Sequence, residues 1–310
     1  MKLAIALATR GRPALLLDTL TKTLPNVSLD DTKITVMVDD DDIDTIGCLS
    51  SHMEWFKGKV AVSIKEREDT VAEKFNRILS EPADLYVAMV DHTPYVTPEF
   101  DKKLLAAAET FPDGIGVVVN YMANASFTGI YAVTPKMAEK LGYFFPPYFP
   151  YWFVDHWLDD VMRMTGRYAV ADVVSDSSKK PMTQEMREPG WWATFFDAAY
   201  LMRRKQAHTI LWDKDLVAPH LHKKMIESQY PLVEFRSRWV NESVRNQAPA
   251  LQNASRLSLN DERYQRIRAK AVAMLQHLLD DYGMAANEAA MFRNYLTPPT
   301  NIVNLKRAFA

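Results

Sequence analysis

The stretch "LYVAMVDHTP" runs from Leu85 to Pro94, six apolar residues followed by an aspartate and a histidine. An apolar run without polar alternation fits a strand buried on both faces, as in a parallel sheet covered by helices. The pattern recurs on either side. Leu3 to Ala8, Lys33 to Val38 and Lys59 to Ile64 read as three earlier strands, and "GIGVVVNYM" (114–122) and "GIYAV" (129–133) as two later ones. Helical spacing fills the gaps. Pro13 opens a helix through Leu24; "DTVAEKFNRILSE" (69–81) follows Asp69 or Thr70 as N-cap; "TPEFDKKLLAAAETF" (97–111) is amphipathic; "VDHWLDDVMRMTG" (154–166) leads into a further strand. Strands alternating with helices predict an α/β class, a mostly parallel sheet flanked by helices. After about residue 190 the patterns turn helical, so a sheet domain over 1–215 and a helical C-terminal extension over 216–310 are expected.

The chain has 310 residues, 37 basic and 39 acidic, for a formal charge of −2. That balance argues against a surface built throughout for nucleic acid. The single cysteine, Cys48, excludes an internal disulfide and a Cys-rich metal cage. The N-terminal apolar run is short and stops at "TRGRP", so it predicts a strand rather than a signal peptide. No apolar run approaches the length of about 20 residues that a transmembrane segment needs, and a cytoplasmic location is expected.

Ligands of open parallel sheets bind beyond the C-terminal ends of the strands. Three polar loops fall there: "ATRGRP" (8–13), "VDDDD" (38–42) and "VDHTP" (90–94). Carboxylates at such ends accept hydrogen bonds from a base or ribose, or hold a metal against phosphates. Arg10 and Arg12 add charge-assisted phosphate contacts. Asp39 and Asp40, beside the strand, are expected to touch ligand, and Asp41 and Asp42 to belong to a solvated turn, one of them capping the next helix.

From about Lys2 to Tyr168 these pieces resemble, in order, the GT-A-type glycosyltransferases, in particular their large inverting family. "LAIALATRGRP" looks like the first strand and its Arg/Pro turn, and "ITVMVDD" like the strand whose aspartates contact the nucleoside. "AEKFNRIL" resembles the helix with an Asn-Arg pair, here Asn76 and Arg77. "LYVAMVDHTPYVTPEF" is similar to the D-x-D segment, and "GIYAVTPKMAEKLGYF" to the acceptor-side segment. "VDHWLDDVMRMTGRYAV" resembles the helix that bears the catalytic acid. The resemblance implies sugar transfer from a nucleotide-sugar donor, a UDP-sugar being the first expectation, to an acceptor hydroxyl with inversion. Thr9, Arg10, Arg12, Asp39, Asp40, Asn76, Asp91 and His92 would bind the donor. Asp155 would be the base, and Asp159, one turn on, either an alternative base or an acceptor-orienting group. Mn²⁺ or Mg²⁺ would sit at Asp91 and Thr93, with His222 a further candidate ligand.

Two departures stand out. Thr93 replaces the second acid of D-x-D, which makes Arg10, Arg12, Lys74 and Arg77 candidates for charge on the leaving diphosphate. Val154-Asp155 stands where the family shows Glu-Asp. The aromatic run "YFFPPYFPYWF" (143–153) mostly predicts packing, with Tyr151 and Trp152 the acceptor-side candidates. Trp191 and Trp192 are further candidates to close over the site, and Asp160 is expected to face solvent. The degraded D-x-D keeps open a non-catalytic nucleotide-sugar-binding protein. A sugar-nucleotide nucleotidyltransferase is disfavoured, since "ATRGRP" lacks a Gly-rich triphosphate loop. The acceptor stays open among glycan, small molecule, protein and nucleic acid.

Overall fold

In the computed structural model of the chain, residues 2–56, 58–123, 128–176, 188–211 and 260–282 are described. Seven strands are β1 (Leu3–Ala8), β2 (Lys33–Asp39), β3 (Val60–Lys65), β4 (Leu85–Val90), β5 (Val117–Ala123), β6 (Thr128–Val133) and β7 (Tyr168–Asp176). The helices are α1 (Pro13–Thr23), α2 (Ile43–His52), α3 (Val71–Asn76), α4 (Phe100–Ala108), α5 (Pro135–Leu141), α6 (Val154–Thr165), α7 (Pro189–Ala198), α8 (Tyr200–Leu211) and α9 (Glu262–Tyr282).

The strands form one sheet in the order β3-β2-β1-β4-β6-β5-β7. β4 lies at its centre beside β1, and β1 runs parallel to both β2 and β4, with Ala4 opposite Lys33 and Leu3 opposite Leu85. β6 departs from the parallel rule, pairing antiparallel with both β4 and β5. The reason is chain length. Four residues separate β5 from β6, whereas a parallel crossover needs a dozen or more.

Alternation along the strands explains why they read as continuous apolar runs. Leu3, Ile5 and Leu7 of β1, with Leu85, Val87 and Met89 of β4, bury into the apolar layer under α1 and α4. Ala4, Ala6 and Ala8, with Tyr86 and Ala88, bury into the layer on the other face. Small side chains on that second face leave room for a large aromatic layer, including Phe75, Phe144, Phe145, Phe149, Phe153 and Trp157.

Local signals set the helix ends. α3 carries a reciprocal capping box: Glu73 N–H donates to Thr70 Oγ1 and Thr70 N–H to Glu73 Oε2, both at 3.0 Å. α6 stops at Gly166, whose φ of +64° is the left-handed C-cap conformation that favours glycine.

The last described helix, α9, packs against the sheet domain. Tyr264, Ile267, Ala271, Met274 and Leu275 of α9 bury in the same layer as α6 and the aromatic run. Tyr264 takes a hydrogen bond from Trp192 Nε1 (3.3 Å) and gives one to Glu188 (2.7 Å). On its other side α9 reaches the start of α3, with Arg266 2.7 Å from Asp69 and Lys270 2.5 Å from Glu73. The expected boundary at 215/216 lies outside the described residues. Among those residues no helix is long and apolar enough to cross a membrane.

Candidate functional site

The loop after β1 turns through Gly11 (φ +64°), whose N–H donates to Asp42 Oδ2 at 2.7 Å. This turn sends Thr9 and Arg12 to the end of β4. Thr9 Oγ1 donates to Asp91 Oδ2 (2.9 Å), while Arg12 Nη1 and His92 Nδ1 each lie 3.1 Å from Asp91 Oδ1. The Asp91 carbonyl accepts from Thr19 Oγ1 (2.8 Å). Asp91 is therefore held by four groups, and its side chain is 3% exposed. Thr93 does not join it; its hydroxyl turns back to the Val90 carbonyl (3.4 Å).

A second cluster forms at the end of β2. Asp39 lies 2.5 Å from Lys74 Nζ and 2.7 Å from Arg10 Nη1, with Arg77 at 3.9 Å. At 1% exposure its carboxylate is enclosed by these cations, whereas the side chain of Asp40 is exposed. Burial holds the Lys74 ammonium below its ordinary pKa, against the opposing pull of Asp39. Lys74 also donates to the Thr9 carbonyl (3.3 Å), which ties the two clusters together. Arg77 makes a tight ion pair with Glu68 as well.

The rest of the aspartate run meets the sequence expectation in part, since Asp42 does cap α2. Asp41 is exposed and grips Arg10 in a fork (2.5 and 2.8 Å). That fork, opposed by partial burial, leads the forces that raise the Arg10 pKa. Asp42 is buried rather than solvated. It accepts from Thr45 N–H at the start of α2 (3.4 Å) as well as from Gly11.

Asn76 has a task that the sequence did not suggest. Its Oδ1 accepts from the N–H groups of Phe144 and Phe145, and its Nδ2 donates to the Phe145 carbonyl, all at 2.9 Å. This side chain is a strut for the aromatic loop. Phe144, Phe145, Phe149 and Phe153 are buried, while Tyr151 and Trp152 are half-buried. Trp191 and Trp192 lie in the core against Phe195 rather than over a site.

The loop ends at Phe153 with φ +76°, an unusual and costly backbone for a bulky residue. Its ring is buried and stacked on Phe196 (5.3 Å). The next two residues are Val154 and Asp155, the first turn of α6. Because α6 feeds β7, which is parallel to β5, this turn lies at the same strand-end edge as the two clusters. Asp155 does not cap the helix, since Phe153 holds the N-cap position. Its side chain is 53% exposed, and His156 Nδ1 lies 2.8 Å from Oδ1. Neighbouring protein pushes the carboxyl up, but the charge and hydrogen bonds of His156 outweigh this and hold it at about 2. Water at the exposed side screens part of both effects.

The remaining acids of α6 face inward. Asp159 is buried and takes both its oxygens to Arg163 Nε (3.1 Å each). Asp160 is buried rather than solvent-facing, 3.0 Å from Arg203, whose guanidinium lies over Phe196 (3.9 Å). Of the α6 acids, Asp155 alone stands in water. His156 was missed as its partner, although its adjacency in "VDHW" was the available signal.

The donor set at the end of β4 fits a divalent ion poorly. Both oxygens of Asp91 already hold donors, Thr93 is turned away, and a guanidinium stands where a cation would have to sit. Among the described residues no three His, Cys, Asp or Glu side chains come together as a metal site. His222 lies outside the described residues.

No family model matches the chain, and no curated protein matches it. Solved structures do. A mannosyltransferase from Pyrobaculum calidifontis, in complex with GDP-Man and Mn²⁺, is 14% identical; 95% of this chain and 84% of that one are covered, with TM-score 0.48. S. aureus TarS is 10% identical, with 91% and 83% covered and TM-score 0.49. GalNAc-T7, solved with UDP, GalNAc and Mn²⁺, is 10% identical, with 81% of this chain and 57% of that one covered and TM-score 0.50. At such identity the likeness is one of fold, and the fold of this chain is of the GT-A type.

Proposed function

We propose that this GT-A-type chain is a glycosyltransferase that moves a sugar from a nucleotide-sugar donor to an acceptor hydroxyl, with Asp155 as general base. The observation that carries the reading is the half-exposed Asp155 carboxylate in the first turn of α6; the run of α6 into β7 supports its lying at the edge of the β1, β2 and β4 loops. The neighbours' complexes with UDP and GDP-Man support a nucleoside diphosphate as leaving group. A UDP-sugar is the donor we favour.

The chemistry follows. The acceptor oxygen gives its proton to Asp155 and forms a bond to the anomeric carbon. The bond from that carbon to the diphosphate oxygen breaks, and its electron pair leaves with the diphosphate. Attack opposite the leaving group inverts the centre. The pull of His156 lowers the Asp155 carboxyl, which keeps it ionised at neutral pH while making it a weaker base. Tyr151 and Trp152, half-buried and just before it, are the candidates for the acceptor side, and exposed Asp40 for the nucleoside. Asp39, Asn76 and Asp159 act by holding structure: the β2 end, the aromatic loop and the α6 surface.

A non-catalytic binding protein is the second reading, favoured by the saturation of Asp39 and Asp91. A donor screen that follows nucleotide release, on wild type and Asp155→Asn, separates the two. Turnover lost in Asp155→Asn supports the transferase; a donor that binds without turnover, whatever acceptor is offered, supports the binder. If no nucleotide sugar binds or turns over, both readings fail.

A further inference from the structure

The groups around Asp91 suit a guanidinium as phosphate receptor better than they suit a metal. A divalent ion of the Mn²⁺ or Mg²⁺ class takes about six ligands, mostly oxygens, at about 2.1 Å in near-octahedral order. Among the described residues Asp91 is the one carboxylate at this point; its Oδ1 already takes Arg12 and His92, and its Oδ2 takes Thr9. A cation on Oδ1 would have to expel Arg12 or share the oxygen with a like charge.

Arg12 has the opposite character. It spends Nη1 on Asp91, which orients the guanidinium plane, and its side chain stays 34% exposed. A guanidinium stays charged at every relevant pH, and its other N–H groups can take two phosphate oxygens at once. Arg10 is as exposed, but both its terminal nitrogens are committed to Asp39 and Asp41. Lys74 is buried on Asp39. Of Arg10, Arg12, Lys74 and Arg77, Arg12 is thus the one that is both anchored and open.

We propose that Arg12, seated on Asp91, receives the donor's diphosphate in place of a divalent metal, so that nucleotide binding persists in a chelator. This rests on the transferase reading and adds to it the group that takes up the leaving charge.

Calorimetric titration of the full chain with UDP and with GDP, each in EDTA and in Mn²⁺, tests it. The diphosphate that binds should do so in EDTA within about threefold of its affinity in Mn²⁺. Arg12→Ala should weaken it about 10- to 100-fold in both conditions, the loss expected for charge-assisted hydrogen bonds. Arg12→Lys should recover part of that loss, and binding of the corresponding nucleoside should change less than about threefold. Melting temperatures show whether each variant is folded. Binding that appears only with Mn²⁺, or wild-type diphosphate affinity in folded Arg12→Ala, overturns the proposal and leaves the transferase reading standing. A wild-type chain that binds neither diphosphate in either condition overturns both.

Discussion

Two aspartates stand at the same edge of the sheet in opposite conditions. Asp39 is closed in by Lys74, Arg10 and Arg77 at 1% exposure, while Asp155 is 53% exposed with His156 beside it. A carboxylate enclosed by the protein's own cations holds loops together. One left in water next to a strained backbone has a proton acceptor's freedom. Removing the first should therefore cost stability, and removing the second activity.

The largest contrast is expected at Asp155. Asp155→Asn should lower the transfer rate by about 10²- to 10⁴-fold, the usual worth of a general base, and cost no more than about 1 kcal/mol of stability, the worth of an exposed pair with His156. Asp39→Asn should act the other way, costing about 3–5 kcal/mol in urea denaturation because the buried Lys74 is left uncompensated. Loss of stability in Asp155→Asn comparable to that in Asp39→Asn would erase the distinction. Next comes Ile267→Ala in α9, which should cost about 2–5 kcal/mol if this helix shares the main core. A change near zero would contradict that shared core.

A pH series sharpens the role of Asp155. His156 holds its carboxyl below the ordinary 3.8, at about 2. The stabilisation of the ionised form is complete above about pH 3.8 and is lost as pH falls through about 2. His156→Ala removes the positive partner, so the carboxyl rises and the acid limb of kcat/KM should move up toward 3.8; an unmoved limb contradicts the pairing. The smallest effect belongs to Asp41→Asn. This exposed partner of Arg10 should be worth no more than about 1 kcal/mol, against several for Asp39 on the same arginine.

The strands were legible because burial on both faces makes each a continuous apolar run, as in Leu85–Val90. The caps were legible because Thr70–Glu73 and Gly166 carry their geometry in residue type. The reversal of β6 was less so, since an apolar run does not state its direction; the short connection to β5 was the clue. The site read less well for a physical reason. "VDDDD" shows four charges but not Lys74 or Arg77, which arrive from a helix some 35 residues on and close over Asp39. Asn76 likewise reads as a polar helix residue until Phe144 and Phe145 present their backbone to it. Asp160 shows the same limit, its partner Arg203 lying two helices away.

The most direct measurement compares nucleotide diphosphate release by wild type and Asp155→Asn, with donor affinity measured beside it. Glycosyl transfer with Asp155 as base predicts release from wild type in the presence of an acceptor, its loss by about 100-fold or more in the variant, and unchanged donor binding in both. Equal release from the two proteins would contradict it.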